Sequence, residues 1–222
     1  MQAKIQNSRR ALQRLNVRRR AFDKNILTQF KHLARDAEHA VSVESLRGIE
    51  EAAAARYFAL WATFFPPAFP FERRSKRPPL NPVNAVLSFV STLFFGEILS
   101  ASHARRLDPA PGCLHETTDD RFSLPLDIME PFRPALIEPL TLRMFSRGIL
   151  SEKHFKPHGR GTYLNEAGRK LLFEQYEDRL TRPFFDPASE HRTDFRTLLR
   201  ESPLHYNFAL ADCSRFAPFL MP

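Results

Sequence analysis

Apolar residues recur at helical spacing through most of this chain. Ile5, Leu12 and Leu15 form a thin stripe on an otherwise polar segment, which predicts a basic helix over residues 2–20. Ile26, Phe30, Leu33 and Ala37 step by four, three and four, predicting an amphipathic helix over 24–40. Ser42 is placed to cap a long helix reaching about Phe65, with Glu44 near its positive end. That helix runs into a proline-broken aromatic tract, Tyr57 to Phe71. Asn81 followed by Pro82 starts a further helix, whose Val83, Val86, Leu87, Val90, Phe94 and Ile98 predict burial on most sides. Residues 124–147 read as one helix entered at Ser123, and Asn165 caps another to about Thr181. A last helix is expected over roughly 191–202, before a loose tail. Phe155–Leu164, around Gly159 and Gly161, reads as a small β-hairpin. Residues 72–80 form a basic, proline-rich loop, and 107–123 a loop with Asp108-Pro109 and Pro111-Gly112 as turn signals. With no repeat, low-complexity tract or linker, the expected architecture is mainly α. It is a single helical domain over 1–222 with one small β-hairpin.

Composition narrows the classes. The 222 residues are 43% hydrophobic and 26% charged, which excludes a disordered chain. Pro78 to Gly96 contains 19 consecutive uncharged residues, but its opening prolines and asparagines leave too short an apolar run to cross a bilayer. We therefore read it as a core helix and expect no membrane. No glycine-rich phosphate loop is present, so dinucleotide and nucleotide-triphosphate loops are excluded. Cys113 and Cys213 lie far apart with no ligand-spaced partner, which fits a reducing, cytoplasmic setting and no zinc finger.

The charge distribution says more than the total. Of the formal +8, residues 1–24 carry +7, from Lys4, Arg9, Arg10, Arg14, Arg18, Arg19, Arg20 and Lys24 against Asp23. This arm has no apolar stretch of a secretory signal. It reads as a polyanion contact, nucleic acid ahead of a membrane surface, against the plainer alternative of a solvated basic helix.

Three places carry acid or imidazole that the pattern does not require. Glu50 sits in Arg47-Gly48-Ile49-Glu50-Glu51 followed by four alanines, with Leu46, Ala53, Ala54 and Tyr57 at helical spacing around it. His115 lies in the loop Gly112-Cys113-Leu114-His115. Asp127 and Glu130 stand three apart on one helical face, with Arg133 three further on. Singly, each has an ordinary explanation: a surface glutamate, a loop histidine, acids in a first helical turn. One imidazole with two or three carboxylates from separate elements is also the donor set that suits Mn²⁺ or Mg²⁺.

In order, these blocks are more specific. Arg-Gly-Ile-Glu-Glu-Ala-Ala-Ala-Ala-Arg-Tyr-Phe (47–58), Leu-Asp-Pro-x-Pro-Gly-Cys-Leu-His (107–115) and Ser-Leu-Pro-Leu-Asp-Ile-Met-Glu-Pro-Phe-Arg-Pro (123–134), with Asn81-Pro-Val-Asn84 and the basic opening, resemble the CRISPR-associated integrase of spacer acquisition, the Cas one family. The resemblance covers nearly the whole chain. It implies a metal-dependent DNA endonuclease and integrase, in which a 3′-hydroxyl of a short duplex attacks the CRISPR repeat. It places Glu50, His115 and Glu130 as catalytic metal-binding residues for Mn²⁺ or Mg²⁺, with Asp127 as a fourth or supporting acid. Glu51 stands where the family has a glycine.

DNA backbones are then expected on Arg9, Arg10, Arg14, Arg18, Arg19 and Arg20 of the 1–24 arm, on Arg73, Arg74, Lys76 and Arg77 of the basic loop, and on Arg133. Relatives carry an N-terminal β-rich domain; this chain begins where the helical domain begins, and we expect a compact natural member. The implied partners are double-stranded DNA (insert duplex and repeat), a second copy or pair of dimers, and a small second CRISPR-associated core protein as an open question. The best interface candidates are Phe64, Phe65, Phe69 and Phe71. The competing class is a non-catalytic DNA-binding assembly subunit, with an RNase or toxin as a third option.

Overall fold

The computed structural model describes residues 1–115, 122–212 and 217–222, without the side chains of Arg18 and residues 209–211. Cys213 and part of the 107–123 loop lie outside these. The chain order is helix α1 (Gln2–Arg19), a short 3₁₀ turn (Lys24–Leu27), α2 (Thr28–Glu38), α3 (Val43–Ala62), α4 (Pro82–Ala104), α5 (Ser123–Met129) and α6 (Glu138–Ser146). Then follow hairpin β1 (Phe155–His158) and β2 (Gly161–Leu164), α7 (Glu166–Thr181), hairpin β3 (Phe184–Asp186) and β4 (His191–Thr193), and α8 (Phe195–Ala211). Both hairpins are antiparallel and separate. The architecture is mainly α, with two hairpins where one was expected. Residues 191–193, assigned to the last helix, pair instead with 184–186, and Asp194 then caps α8 by accepting from Thr197 N at 2.8 Å.

The caps read from the sequence are formed. The side chains of Ser42, Asn81 and Asn165 accept from the N–H groups of Ser45, Asn84 and Gly168 at 3.1, 2.8 and 2.9 Å. α4 is long and apolar enough to span a bilayer by length and composition. Here its Val83, Val86, Val90, Phe94 and Ile98 are fully buried, and α5, α6 and α8 pack against it. It is the core helix.

Most rings of the aromatic tract face inward. Trp61 and Phe64 are fully buried, Phe71 nearly so, and the Trp61 ring stands 4.6 Å from Phe65 and 5.0 Å from Phe71. Phe69 packs on Phe145 at 4.9 Å. These rings close the end of α3 against α6.

The tail is not loose either. Phe219 stacks on Phe132 at 4.7 Å, and Met221 is buried, its N–H donating to Asn7 Oδ1 at 2.8 Å. Asn7 is itself fully buried, and its amide also donates to the carbonyls of Pro131 and Phe219 at 2.7 and 2.9 Å. One side chain thus ties α1, the Pro131 segment and the tail.

The expected helix over 124–147 is broken. After α5 comes a 3₁₀ turn (Glu130–Phe132), then a π turn (Arg133–Ile137), then α6. Ser123 is the first helical residue rather than the cap. Pro131, Pro134 and Pro139 each lack an N–H, so a regular ladder could not continue through them. The break delivers Glu130 and Glu138 to the interior, at 6% and 5% exposure.

Two predictions follow from this packing. Asn84 is fully buried: its Nδ2 donates to Arg73 O at 2.9 Å, and its Oδ1 accepts from Ser75 N at 2.9 Å and Arg74 Nη1 at 3.0 Å. Asn84→Ala should cost about 2–4 kcal/mol in thermal unfolding and free the 73–77 loop, so that trypsin cuts there faster. Unchanged loop cleavage would count against this anchor. Burial pushes the Glu138 carboxyl up to about 7, although Arg133 and Lys4 pull it the other way. A buried acid whose folded value exceeds its unfolded one (about 4.3) loses stability as pH rises between the two. Glu138→Gln should therefore out-melt the wild type by about 1–3 kcal/mol above pH 7 and match it near pH 4.

Candidate functional site

Glu50 lies in the second turn of α3, on the face that also buries Ala53 and Tyr57. Its Oε1 is 2.6 Å from the Nζ of Lys4, which enters from α1. The same ammonium pairs with Oε2 of Glu130. The other oxygen of Glu130, Oε1, accepts from Arg133 Nε at 2.8 Å. Side-chain exposures of 16% for Lys4, 8% for Glu130 and 30% for Glu50 leave little solvent to screen these charges. Burial alone would push Glu130 up; Arg133 and Lys4 overcome it and hold the carboxyl far below the usual range. Burial would likewise lower Lys4, and Glu130 and Glu50 raise it instead.

His115 is set by Asp127. Asp127 Oδ1 meets the imidazole Nδ1 at 2.6 Å and accepts from His115 N at 3.1 Å. Its Oδ2 accepts from Cys113 N at 2.6 Å and Leu114 N at 3.0 Å. Against burial, the His115 hydrogen bond and these backbone donors hold the Asp127 carboxyl down. A proton on Nδ1 facing a carboxylate leaves Nε2 with its lone pair, the arrangement of a metal-ligating histidine with a carboxylate behind it. Gly112 permits the wrap: a Cβ there would stand 2.7 Å from Ser123 Cβ and 3.0 Å from Asp127 Oδ2. Arg47, one turn before Glu50, donates to Leu114 O at 3.0 Å and joins the loop to α3.

Glu50 and Glu130 thus meet on one cation, and His115 lies near enough to Glu130 to influence that carboxyl electrostatically. Among the described residues, no three His, Cys, Asp or Glu stand together at metal-holding spacing, and the Lys4 ammonium occupies the place between Glu50 and Glu130. The donor set still fits a hard divalent ion: two carboxylates, one with a buried oxygen that accepts no hydrogen bond of ordinary geometry, and an imidazole nitrogen. Asp127, with both oxygens engaged, supports His115 and its loop. Lys4 was read as one charge of the arm. Its signal was the strip Lys4, Asn7, Ser8 and Ala11, three polar residues and an alanine on one helix face, of which Asn7, Ser8 and Ala11 are buried.

The basic residues divide. Arg10 and Arg14 donate to the carbonyls of Met221 and Pro222, Arg19 to Phe64 O at 2.5 Å, and Arg74 to Asn84 Oδ1 and to Ser88 Oγ at 3.0 Å. Arg133 holds Glu130. Arg20 closes α1 in the left-handed conformation, Arg9 lines a groove between α1 and α2, and the side chain of Arg18 lies outside the described residues. Arg73, Lys76 and Arg77 are exposed. Lys76 and Arg77 border a cleft of about 610 Å³ that the sequence did not suggest, with Lys156, Tyr163 and Arg169 contributed by β1, β2 and α7. Partial desolvation of its ammonium end, with Arg133 and Arg74, lowers the Lys76 pKa, so this ammonium stands among cations and favours an anion beside it.

Comparison with known proteins follows the same line. The chain is 34% identical over 185 residues to the CRISPR-associated endonuclease Cas1 of Thermotoga maritima, a match covering 83% of this chain and 57% of that protein. It superposes over its full length on a solved CAS1 protein from Thermotoga maritima, with a TM-score of 0.77, 27% identity and 66% of that chain covered. A casposase bound to integration product shares the fold at a TM-score of 0.87 and 20% identity, with 61% of that chain covered. The chain thus spans little more than half the length of the curated relative. The family model described as CRISPR associated protein Cas1 matches residues 1–178. This chain belongs to the Cas1 family.

Proposed function

We propose that this chain is a metal-dependent DNA endonuclease and integrase that joins short DNA to a CRISPR array by phosphodiester exchange. The observation that carries the reading is the convergence of Glu50 and Glu130 on one cation beside a histidine oriented by a buried carboxylate. The naming of the sequence relative as an endonuclease supports the same class of chemistry.

Mn²⁺ or Mg²⁺ would be held by Glu50, Glu130 and His115, and when bound would polarise the scissile phosphate and stabilise the departing alkoxide. The chain's own residues set that centre. Asp127 keeps the proton on Nδ1 of His115, and Arg133 fixes the plane of the Glu130 carboxylate by its 2.8 Å bond. Arg74, Lys76 and Arg133 gather positive charge beside the acids, where a transferring phosphate gathers negative charge. In the exchange, the 3′-oxygen of the insert forms a new bond to phosphorus while the strand's own P–O3′ bond breaks. Both nucleophile and leaving group are DNA hydroxyls, so catalysis is positioning plus charge stabilisation. Joining both ends of a duplex takes two sites, so the working assembly holds two or four copies.

Two measurements test this. In an Mn²⁺-dependent strand-transfer assay, His115→Ala should lose at least ~100-fold in rate while DNA affinity stays within about twofold. Asp127→Asn should lose about 10- to 100-fold through the wrong tautomer. Rate and affinity falling together would mark His115 as structural. Tight DNA binding without any metal-dependent cleavage would leave a DNA-binding assembly subunit, and transfer that no variant weakens would overturn the site assignment. For the DNA path, Lys76→Glu with Arg77→Glu should weaken every duplex about equally and reduce the salt slope by roughly 0.9 per lost phosphate contact. An unchanged slope would place the DNA elsewhere.

A further inference from the structure

Two buried or half-buried carboxylates from separate elements, Glu50 of α3 and Glu130 of the 3₁₀ turn, are joined by the ammonium of Lys4. Arg133 bonds only Oε1 of Glu130, and Oε2 is buried with Lys4 as its counter-charge. Removing the ammonium without replacement would leave that oxygen uncompensated in a poorly screened place, which is costly. A divalent ion on the same two carboxylates would compensate it better, and it would need the position that the ammonium takes. Lysine suits such an exchange because its charge sits on a flexible four-carbon stem. The root of that stem does not need to move, since Asn7, one turn along α1, is locked to Pro131, Phe219 and Met221.

We propose that Lys4 is a resident counter-ion of the metal centre, holding Glu50 and Glu130 together until a divalent ion displaces its ammonium. The proposal rests on the metal reading above. It separates from a fixed structural ion pair by sign: a competitor's removal tightens metal binding, whereas loss of a structural support weakens it.

The test is Mn²⁺ affinity of the full chain, read from loss of the aqueous Mn²⁺ resonance in electron paramagnetic titrations. Lys4→Met keeps the stem and deletes the charge; it should bind Mn²⁺ about tenfold tighter than wild type, while Glu50→Gln binds at least about tenfold weaker. Equal or weaker binding by Lys4→Met, with Glu50→Gln weakened, overturns the counter-ion role alone. No Mn²⁺ binding by either wild type or Lys4→Met overturns the metal reading itself. Should Lys4→Met fail to fold, uniformly ¹⁵N-labelled wild-type protein answers the same question. Its Lys4 ammonium signal should be protected without metal and lose that protection as Mg²⁺ shifts the 112–115 amides to their plateau. A Lys4 signal indifferent to Mg²⁺ at that plateau overturns the proposal.

Discussion

Two ionised carboxylates cannot rest side by side in a poorly screened place without a cation between them, and the structure is organised around supplying one. Lys4 meets that need for Glu50 and Glu130, and Arg133 takes the remaining oxygen of Glu130. Each partner arrives on a different element, so the cluster exists only while α1, α3 and the Pro131 segment hold their places. Asn7 is the fastening: buried among polar partners, it fixes α1 to the segment that carries Glu130 and to the tail. An unpaired amide there would carry the full cost of a buried polar group, which gives the arrangement its rigidity.

The interruption after α5 follows from the same requirement. A regular helix through 123–146 would keep Glu130 and Glu138 on helical steps set by their spacing. The prolines instead force 3₁₀ and π turns, which turn both acids inward among Arg133, Arg74 and Lys4. The two acids then meet opposite fates. Glu130, in direct contact with two cations, stays ionised, whereas Glu138, with its Oε2 unpaired, is pushed toward neutrality by burial. Opposed carboxylates within one cluster of cations are a common mark of a working site.

The positive charge of the chain has two uses. Part of the N-terminal basic helix is internal support: Lys4 in the acid cluster, Arg10 and Arg14 on the tail, Arg19 on the end of α3. The exposed cations gather instead around the Asn84-anchored loop and the first hairpin, where Lys76, Arg77, Lys156 and Arg169 line one cleft. Thr162 N donates to Pro79 O at 2.8 Å, so loop and hairpin are one surface. That surface adjoins the acids through Lys76, whose charge is felt by Glu130, and its positive field suits a polyanion.

By itself the sequence determined whatever is local. Caps at Ser42, Asn81 and Asn165, the buried stripe of α4, and the hairpin at Gly159 and Gly161 follow from groups within a few residues of each other, and each is formed. The ordered blocks around Glu50, His115 and Glu130 were legible as well, as a family resemblance that the match over residues 1–178 bears out. Tertiary structure decided the rest. No periodicity reveals that 191–193 pairs with 184–186, that Phe64 and Phe71 face inward, or that Asn7 reaches Pro131 across the chain. Least visible was Lys4: within seven other basic residues its charge carries no label, and only the approach of α1 to α3 and to the broken helix sets it between two acids.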